Sequence, residues 1–171
     1  MTKCLWGFTL LEMLLVLAIL SAVSWAVIPF LNDQLRENRA ELFLRRLTMA
    51  IFMTRSEAMQ RGTPLQFCGS SDQKTCDGRW QDGQIIAVRS SGQVVQYYQA
   101  LPTGYRLIWR SSFGRNEGLI FTAEGFTHGQ QGTFYYCPPR RYEQHARGLV
   151  VLRSGRVRVL RKITQGGCDI A

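Results

Sequence analysis

Lysine is almost missing from a strongly basic chain. Of the 21 basic residues among 171, only Lys3, Lys74 and Lys162 are lysines, yet the net charge is +9. Arginine therefore carries the basicity, and its planar fork grips phosphate or carboxylate through two bonds where lysine offers a point charge. Histidine is scarcer: His128 lies in a Gly-rich turn and His145 in an Arg-rich stretch. Neither forms an H-E-x-x-H pair, and the chain has no G-x-S-x-G elbow and no P-loop. No paired carboxylates stand out. These absences give no basis for an enzyme, a metal centre or a cofactor, and both histidines are expected on the solvated surface. Internal repeats and low-complexity tails are absent too. So is an A-x-A pattern behind the apolar N-terminal block, which excludes a standard secretory signal cleaved there.

What is present is unevenly spread. Hydrophobic residues make up 46% of the chain, enough for a real core, but they are densest between Phe8 and Ile28. A helix over those positions spans roughly 31 Å, the thickness of a bilayer core. Glu12 interrupts the run. A carboxylate at such a depth costs about 2.5 kcal/mol or more, so it is expected to have a function and a partner. The surplus of arginine points to an anionic partner, nucleic acid or a membrane surface, without choosing between them.

The string Gly7-Phe8-Thr9-Leu10-Leu11-Glu12 resembles the prepilin peptidase site of the type IV pilin and type II secretion pseudopilin superfamily. The resemblance implies cleavage between Gly7 and Phe8, methylation of the new N-terminal Phe8, and pairing of Glu12 with the N-terminal amine of a neighbouring subunit. Pro29 falls where pilins often carry a helix-bending proline. The implied partners are other pilin subunits, the prepilin peptidase and the bacterial inner membrane. The implied topology is single-pass with a periplasmic C-terminal domain.

Beyond Pro29 the helical period resumes. Leu44, Leu47, Ile51, Arg55 and Ala58 follow 3-4 spacing, Leu35 and Leu42 lie on a nearby face, and Glu41–Arg45 is a favourable i,i+4 pair. Gly62 and Pro64 mark the stop. From Leu65 the period becomes two, with candidate strands at 65–68, 84–89, 94–99, 105–110, 119–122, 133–137, 148–152 and 156–161. Short strands with short Gly-containing links favour antiparallel sheets, so the fold class is α+β. The expected organisation is a leader at 1–7, a transmembrane or filament-core helix at 8–28, an amphipathic continuation at 29–62 and an antiparallel β domain at 63–171.

A second resemblance narrows the group. Thr54-Arg55-Ser56-Glu57-Ala58 with Arg61-Gly62, then Trp80-Gln81-Asp82-Gly83, Leu119-Ile120-Phe121 with Gly125, and Ser154-Gly155-Arg156-Val157 are similar to segments of the GspH/FimT group of minor pilins. The departures are Thr54 where Ala is usual and an insertion-like stretch from Tyr136 to Arg147.

With Cys4 in the expected leader, Cys68, Cys76, Cys137 and Cys168 remain. An even number in an exported chain reads as disulfides, with three possible connectivities. Cys68 and Cys76 flank a polar loop suited to a local bridge, and a Cys137–Cys168 bridge would hold the tail to the sheet. The spacing lacks the paired knuckles of a zinc site.

Residues 138–171 carry eight bases and two acids, which is +6 of the total +9. Period two puts Arg156 and Arg158 on one face and turns Val157 and Val159 to the core. Arg153, Arg161 and Lys162 would lengthen that basic edge, Arg140 and Arg141 add to it, and Tyr135, Tyr136 and Tyr142 are placed to stack on bases. Gly155-Arg156-Val157-Arg158 resembles the Gly-Arg-x-Arg motif of FimT-type pilins, which implies non-specific DNA binding during natural transformation. The alternative is a FimU- or GspH-like subunit that primes a pilus or secretion pseudopilus and binds no DNA.

Overall fold

The computed structural model describes residues 9–112, 118–163 and 167–168. Gly7 and Phe8, the expected cleavage and methylation positions, lie outside them. The chain forms two compact units, Met1–Arg39 and Ala40–Ala171. One helix, α1 (Leu10–Arg61, 52 residues), contributes to both and continues through position 29 as a single element.

In the first unit, α1 begins with its own cap. The Thr9 hydroxyl accepts from the Glu12 amide at 3.2 Å, which makes Glu12 the third helical residue of a Thr-x-x-Glu start. An acid in the first turn also faces the positive end of the helix dipole. Leu10, Leu14, Leu17, Leu20 and Ile28 are exposed. By length and composition the helix is able to cross a membrane.

In the second unit the expected stripe is the buried one. Leu44, Leu47, Ile51 and Ala58 are buried, joined by Ala40, Ala50 and Thr54. Thr54 resolves its polarity locally, because its hydroxyl donates to the Ala50 carbonyl at 2.7 Å. The Glu41–Arg45 pair forms at 2.6 Å on the exposed face. The helix ends in a double turn: Thr63 N–H donates to Ala58 O at 3.2 Å and Gly62 N–H to Met59 O at 3.4 Å. That closure needs a left-handed residue, which Gly62 supplies at φ +60°.

Among the described residues eight strands follow: β1 (Leu65–Gly69), β2 (Gln84–Val88), β3 (Val94–Tyr98), β4 (Arg106–Ser111), β5 (Leu119–Phe121), β6 (Gly132–Cys137), β7 (Arg147–Val151) and β8 (Val157–Leu160). Each lies within one residue of its expected bounds. They form two four-stranded antiparallel sheets, ordered β3-β2-β1-β5 and β4-β6-β7-β8. The core between them is aromatic. Trp80 meets Phe134 edge-on at 4.9 Å, Phe67 meets Trp80 at 5.4 Å, and Trp109 lies 4.3 Å from Phe134. The short β5 borrows a partner: the Gln130 side chain accepts from Ile120 N at 2.7 Å and donates to Gly118 O at 2.9 Å.

Disulfides join Cys68 to Cys76 and Cys137 to Cys168. The insertion-like stretch coils into a 3₁₀ turn, Arg140–His145. That coil corrects one expectation, because it turns His145 inward and leaves it 5% exposed instead of solvated. His128 is exposed, as expected.

Candidate nucleic-acid interface

The basic surface is built on the sheet β4-β6-β7-β8, with β8 at its edge. Alternation sets the two faces. Leu107, Trp109, Phe134, Tyr136, Leu149 and Val151 turn into the core, so residues of the other parity face outward. The register then lines up Arg110, Thr133, Val150 and Arg158 in one row across all four strands. At about 4.8 Å per strand, the two arginines of that row stand about 14 Å apart. Arg156 precedes β8 by one residue and has the parity of Arg158, about 7 Å along the same edge.

The hairpin between β7 and β8 explains the glycine of the Gly-Arg-x-Arg string. Gly155 N–H donates to Leu152 O at 2.8 Å, and Leu152 N–H to Arg156 O at 2.9 Å. Gly155 adopts φ +76°, and a Cβ there would lie 3.0 Å from the Phe121 ring. The tight turn exposes Arg153 on one side and Arg156 on the other. Arg161 and Lys162 are exposed just past the far end of β8. Arg140 and Arg141, also exposed, sit in the 3₁₀ turn between β6 and β7, at the same end of the sheet as Lys162. Among the described residues, Arg153, Arg156, Arg158, Arg161 and Lys162 form no ion pairs. From Arg147 to Lys162 the sequence contains no acid.

Two expectations about this region fail. Val159 has the core-facing parity, opposite Leu149, but is 49% exposed. β8 is the last strand of its sheet, and at that edge the core no longer covers the side chain. Val157, nearer the turn, does pack on the core. Of the three tyrosines, Tyr136 is buried and stacks on Phe43 at 4.9 Å, so it offers no ring to a ligand. Tyr135 and Tyr142 are half-buried, with Arg110 over the first at 5.3 Å and Arg141 over the second at 4.6 Å.

Part of the outward face is occupied. The Cys137–Cys168 bridge brings Gly167 onto the Tyr135 ring, and Arg106 Nη2 donates to Cys168 O at 2.7 Å. Arg156 and Arg158 lie toward the other end of the sheet, while the half-buried Arg110 reaches over the same Tyr135 ring that the clamp touches.

Sequence reasoning missed two contributors. Alternation along Arg106-Leu107-Ile108-Trp109-Arg110 already turned Arg110 outward, but only the strand order sets it in a row with Arg158. The other is Phe126, 56% exposed in the turn after β5. Thr127, next to it, is tied to the hairpin: its N–H and its hydroxyl reach the Arg153 carbonyl at 3.3 and 2.8 Å.

Residues 44–155 match the model of the family described as type II transport protein GspH. No sequence among the curated proteins matches the chain. Among solved structures, the fold is similar to the type IV minor pilin FimU of Pseudomonas aeruginosa, with a TM-score of 0.57 and 21% identity over 71% of this chain and 88% of that one. It is also similar to the minor pseudopilin EpsH from the type 2 secretion system of Vibrio cholerae, with a TM-score of 0.50 and 14% identity over 71% of this chain and 96% of that one.

Proposed function

Because the chain belongs to the GspH family of minor pilins and pseudopilins, we propose that it is a FimT-like minor pilin that lends a DNA-binding surface to a type IV pilus during DNA uptake. The observation that carries this reading is the β8 edge, where Arg153, Arg156, Arg158, Arg161 and Lys162 are exposed with no acid among them. Such a row neutralises phosphates without reading bases, so binding is non-specific in sequence and steeply salt-dependent.

The N-terminal half supplies assembly. Cleavage between Gly7 and Phe8 by a prepilin peptidase and methylation of Phe8 precede insertion into the filament. Glu12 then serves as counter-charge for the N-terminal amine of a neighbouring subunit. Before assembly the helix holds the subunit in the inner membrane, with the β domain in the periplasm. Mass spectrometry of the mature chain tests the processing directly: loss of residues 1–7 and one added methyl group are expected.

For DNA binding, the test is a gel shift of the full-length chain in detergent across a salt series. Replacing Arg156→Gln and Arg158→Gln together should lower the slope of log affinity against log salt by about two. Binding that ignores salt, or a slope that the double variant leaves unchanged, would sink the reading. The second reading is a subunit that only primes a pilus or pseudopilus, favoured by the likeness to FimU and EpsH. Filament loss on deletion, with a purified chain that ignores DNA, would establish it.

A further inference from the structure

The basic edge ends beside a bare aromatic ring, and no tyrosine near it does the same work. Phe126 is more than half exposed, whereas Tyr136 is buried and the rings of Tyr135 and Tyr142 lie under arginines. The turn that presents Phe126 is held at several points. Gly125 N–H donates to Thr122 O at 2.9 Å, Thr122 N–H to Phe126 O at 2.8 Å and His128 N–H to Ile120 O at 3.0 Å. Thr127 bridges to Phe121 and reaches the Arg153 carbonyl, so the turn that carries the ring is tied to the tip of the β7–β8 hairpin.

Arginines are carried by the elements that meet at this turn. Arg153 belongs to the hairpin tip that Thr127 contacts, and Arg156 follows it by three residues, directly after Gly155. Arg55 packs against the two turns, its Nε 3.2 Å from where a Gly125 Cβ would stand and its Cδ 3.6 Å from where a Gly155 Cβ would stand. Glu124 is the acid of the same turn, so together with Arg55, Arg153 and Arg156 the adjoining elements carry a net +2. Phe126, with the half-exposed Met59 and Leu152 on the adjoining elements, forms only a small part of the about 800 Å² per partner that a stable protein interface covers. A nucleobase needs one face, and every base has one.

We propose that Phe126 is a stacking platform for an unpaired base, so that the hairpin tip takes single-stranded DNA with Arg153 and Arg156 on the flanking phosphates. This rests on the DNA-binding reading and adds a ligand class to it. The duplex tracks the β8 edge alone, because its bases are already stacked and do not reach the ring.

The experiment compares fluorescently labelled oligothymidylate with a blunt duplex of equal length, binding the full-length chain in detergent. Phe126→Ala should weaken oligothymidylate binding about tenfold, leave duplex binding within about twofold, and leave the salt slopes unchanged. Phe126→Tyr should restore the affinity, and Phe126→Leu, which keeps the apolar bulk but loses the π face, should behave as the alanine variant does. The inference is overturned if Leu binds oligothymidylate as well as Phe, if Ala changes nothing, or if Ala weakens both ligands equally. Wild-type binding to duplex with an indifferent Phe126→Ala removes this inference alone. Wild-type indifference to both DNAs removes it together with the reading it rests on.

Discussion

Gln84 and Trp80 face each other across the turn that opens β2, where Gln84 Nε2 donates to the Trp80 carbonyl oxygen at 2.6 Å. The other end of the Gln84 amide accepts from Arg46 Nη2 of α1 at 3.3 Å. Gln84 is 1% exposed, so both ends of its amide depend on these partners. The bond draws the Trp80 backbone over the sheet and lets its ring reach Phe67 and Phe134.

Gln84→Leu keeps the volume and removes both bonds, leaving the Trp80 carbonyl and Arg46 short of partners. A loss of about 1–3 kcal/mol is expected, read as a lower denaturant midpoint with an unchanged slope. An unchanged midpoint would show that water replaces the amide.

The two disulfides should differ in weight. Cys137–Cys168 closes a separation of 31 residues and Cys68–Cys76 one of 8. Loop-closure entropy then assigns about 3–4 kcal/mol to the first and about 2–3 kcal/mol to the second. Replacing each pair by serine and measuring chemical unfolding should show the larger loss at Cys137–Cys168. The reverse order would mean that the clamp on Tyr135 and Arg106 contributes little.

The loop between Cys68 and Cys76, continued to Arg79, should be sensitive to acid. The backbone N–H groups of Thr75 and Lys74, with the Thr75 and Ser70 hydroxyls, hold the Asp72 carboxyl far below its ordinary range. Burial pushes Asp77 upward, but bonds from Ser71 and Arg79 outweigh it and bring the group down to about 2. Both folded values lie below the unfolded ones, so the stabilisation is whole above about pH 4 and is lost as pH falls through the folded values. The amide resonances of Lys74, Thr75 and Arg79 should hold steady to about pH 3.5 and shift only below it. An inflection near 3.9, the ordinary aspartate value, would contradict the hydrogen-bond account.

Gly155→Ala should damage the hairpin that carries Arg153 and Arg156. Its φ of +76° disfavours any side chain, and the new methyl would press on the Phe121 ring at 3.0 Å. A loss of about 1–2 kcal/mol is expected in chemical unfolding. Gly92→Ala is the control, since φ there is +70° with nothing within 4 Å. It isolates the backbone contribution, and the excess at Gly155 measures contact with Phe121.

The sequence was most legible where one local rule sufficed. Period two between glycine turns located every strand, and 3-4 spacing located the buried stripe from Leu44 to Ala58. Gly62 and Pro64 placed the helix end. What the sequence concealed depends on strand order and on what covers each face. Val159 alternates correctly and is still exposed, because alternation does not announce that β8 is an edge. Tyr136 and His145 look like loop-flanking polar residues, and both are buried by contacts far off in sequence or by an unforeseen 3₁₀ turn. Arg110 belongs to the basic face only because β6 and β7 stand between β4 and β8. The exposure of Phe126 follows from its turn being pinned to Arg153, a contact that spans 26 residues.

The place of β8 at the margin of its sheet has a consequence for behaviour in a crowd. An open strand invites a second copy to pair with it and start an aggregate. Here two such margins meeting would set arginines against arginines, a cross-strand repulsion with no compensating acid between Arg147 and Lys162. The charge that suits this strand to a polyanion therefore also keeps copies of the molecule apart. Substitutions that neutralise Arg156 and Arg158 should accordingly be watched for clumping as well as for lost binding.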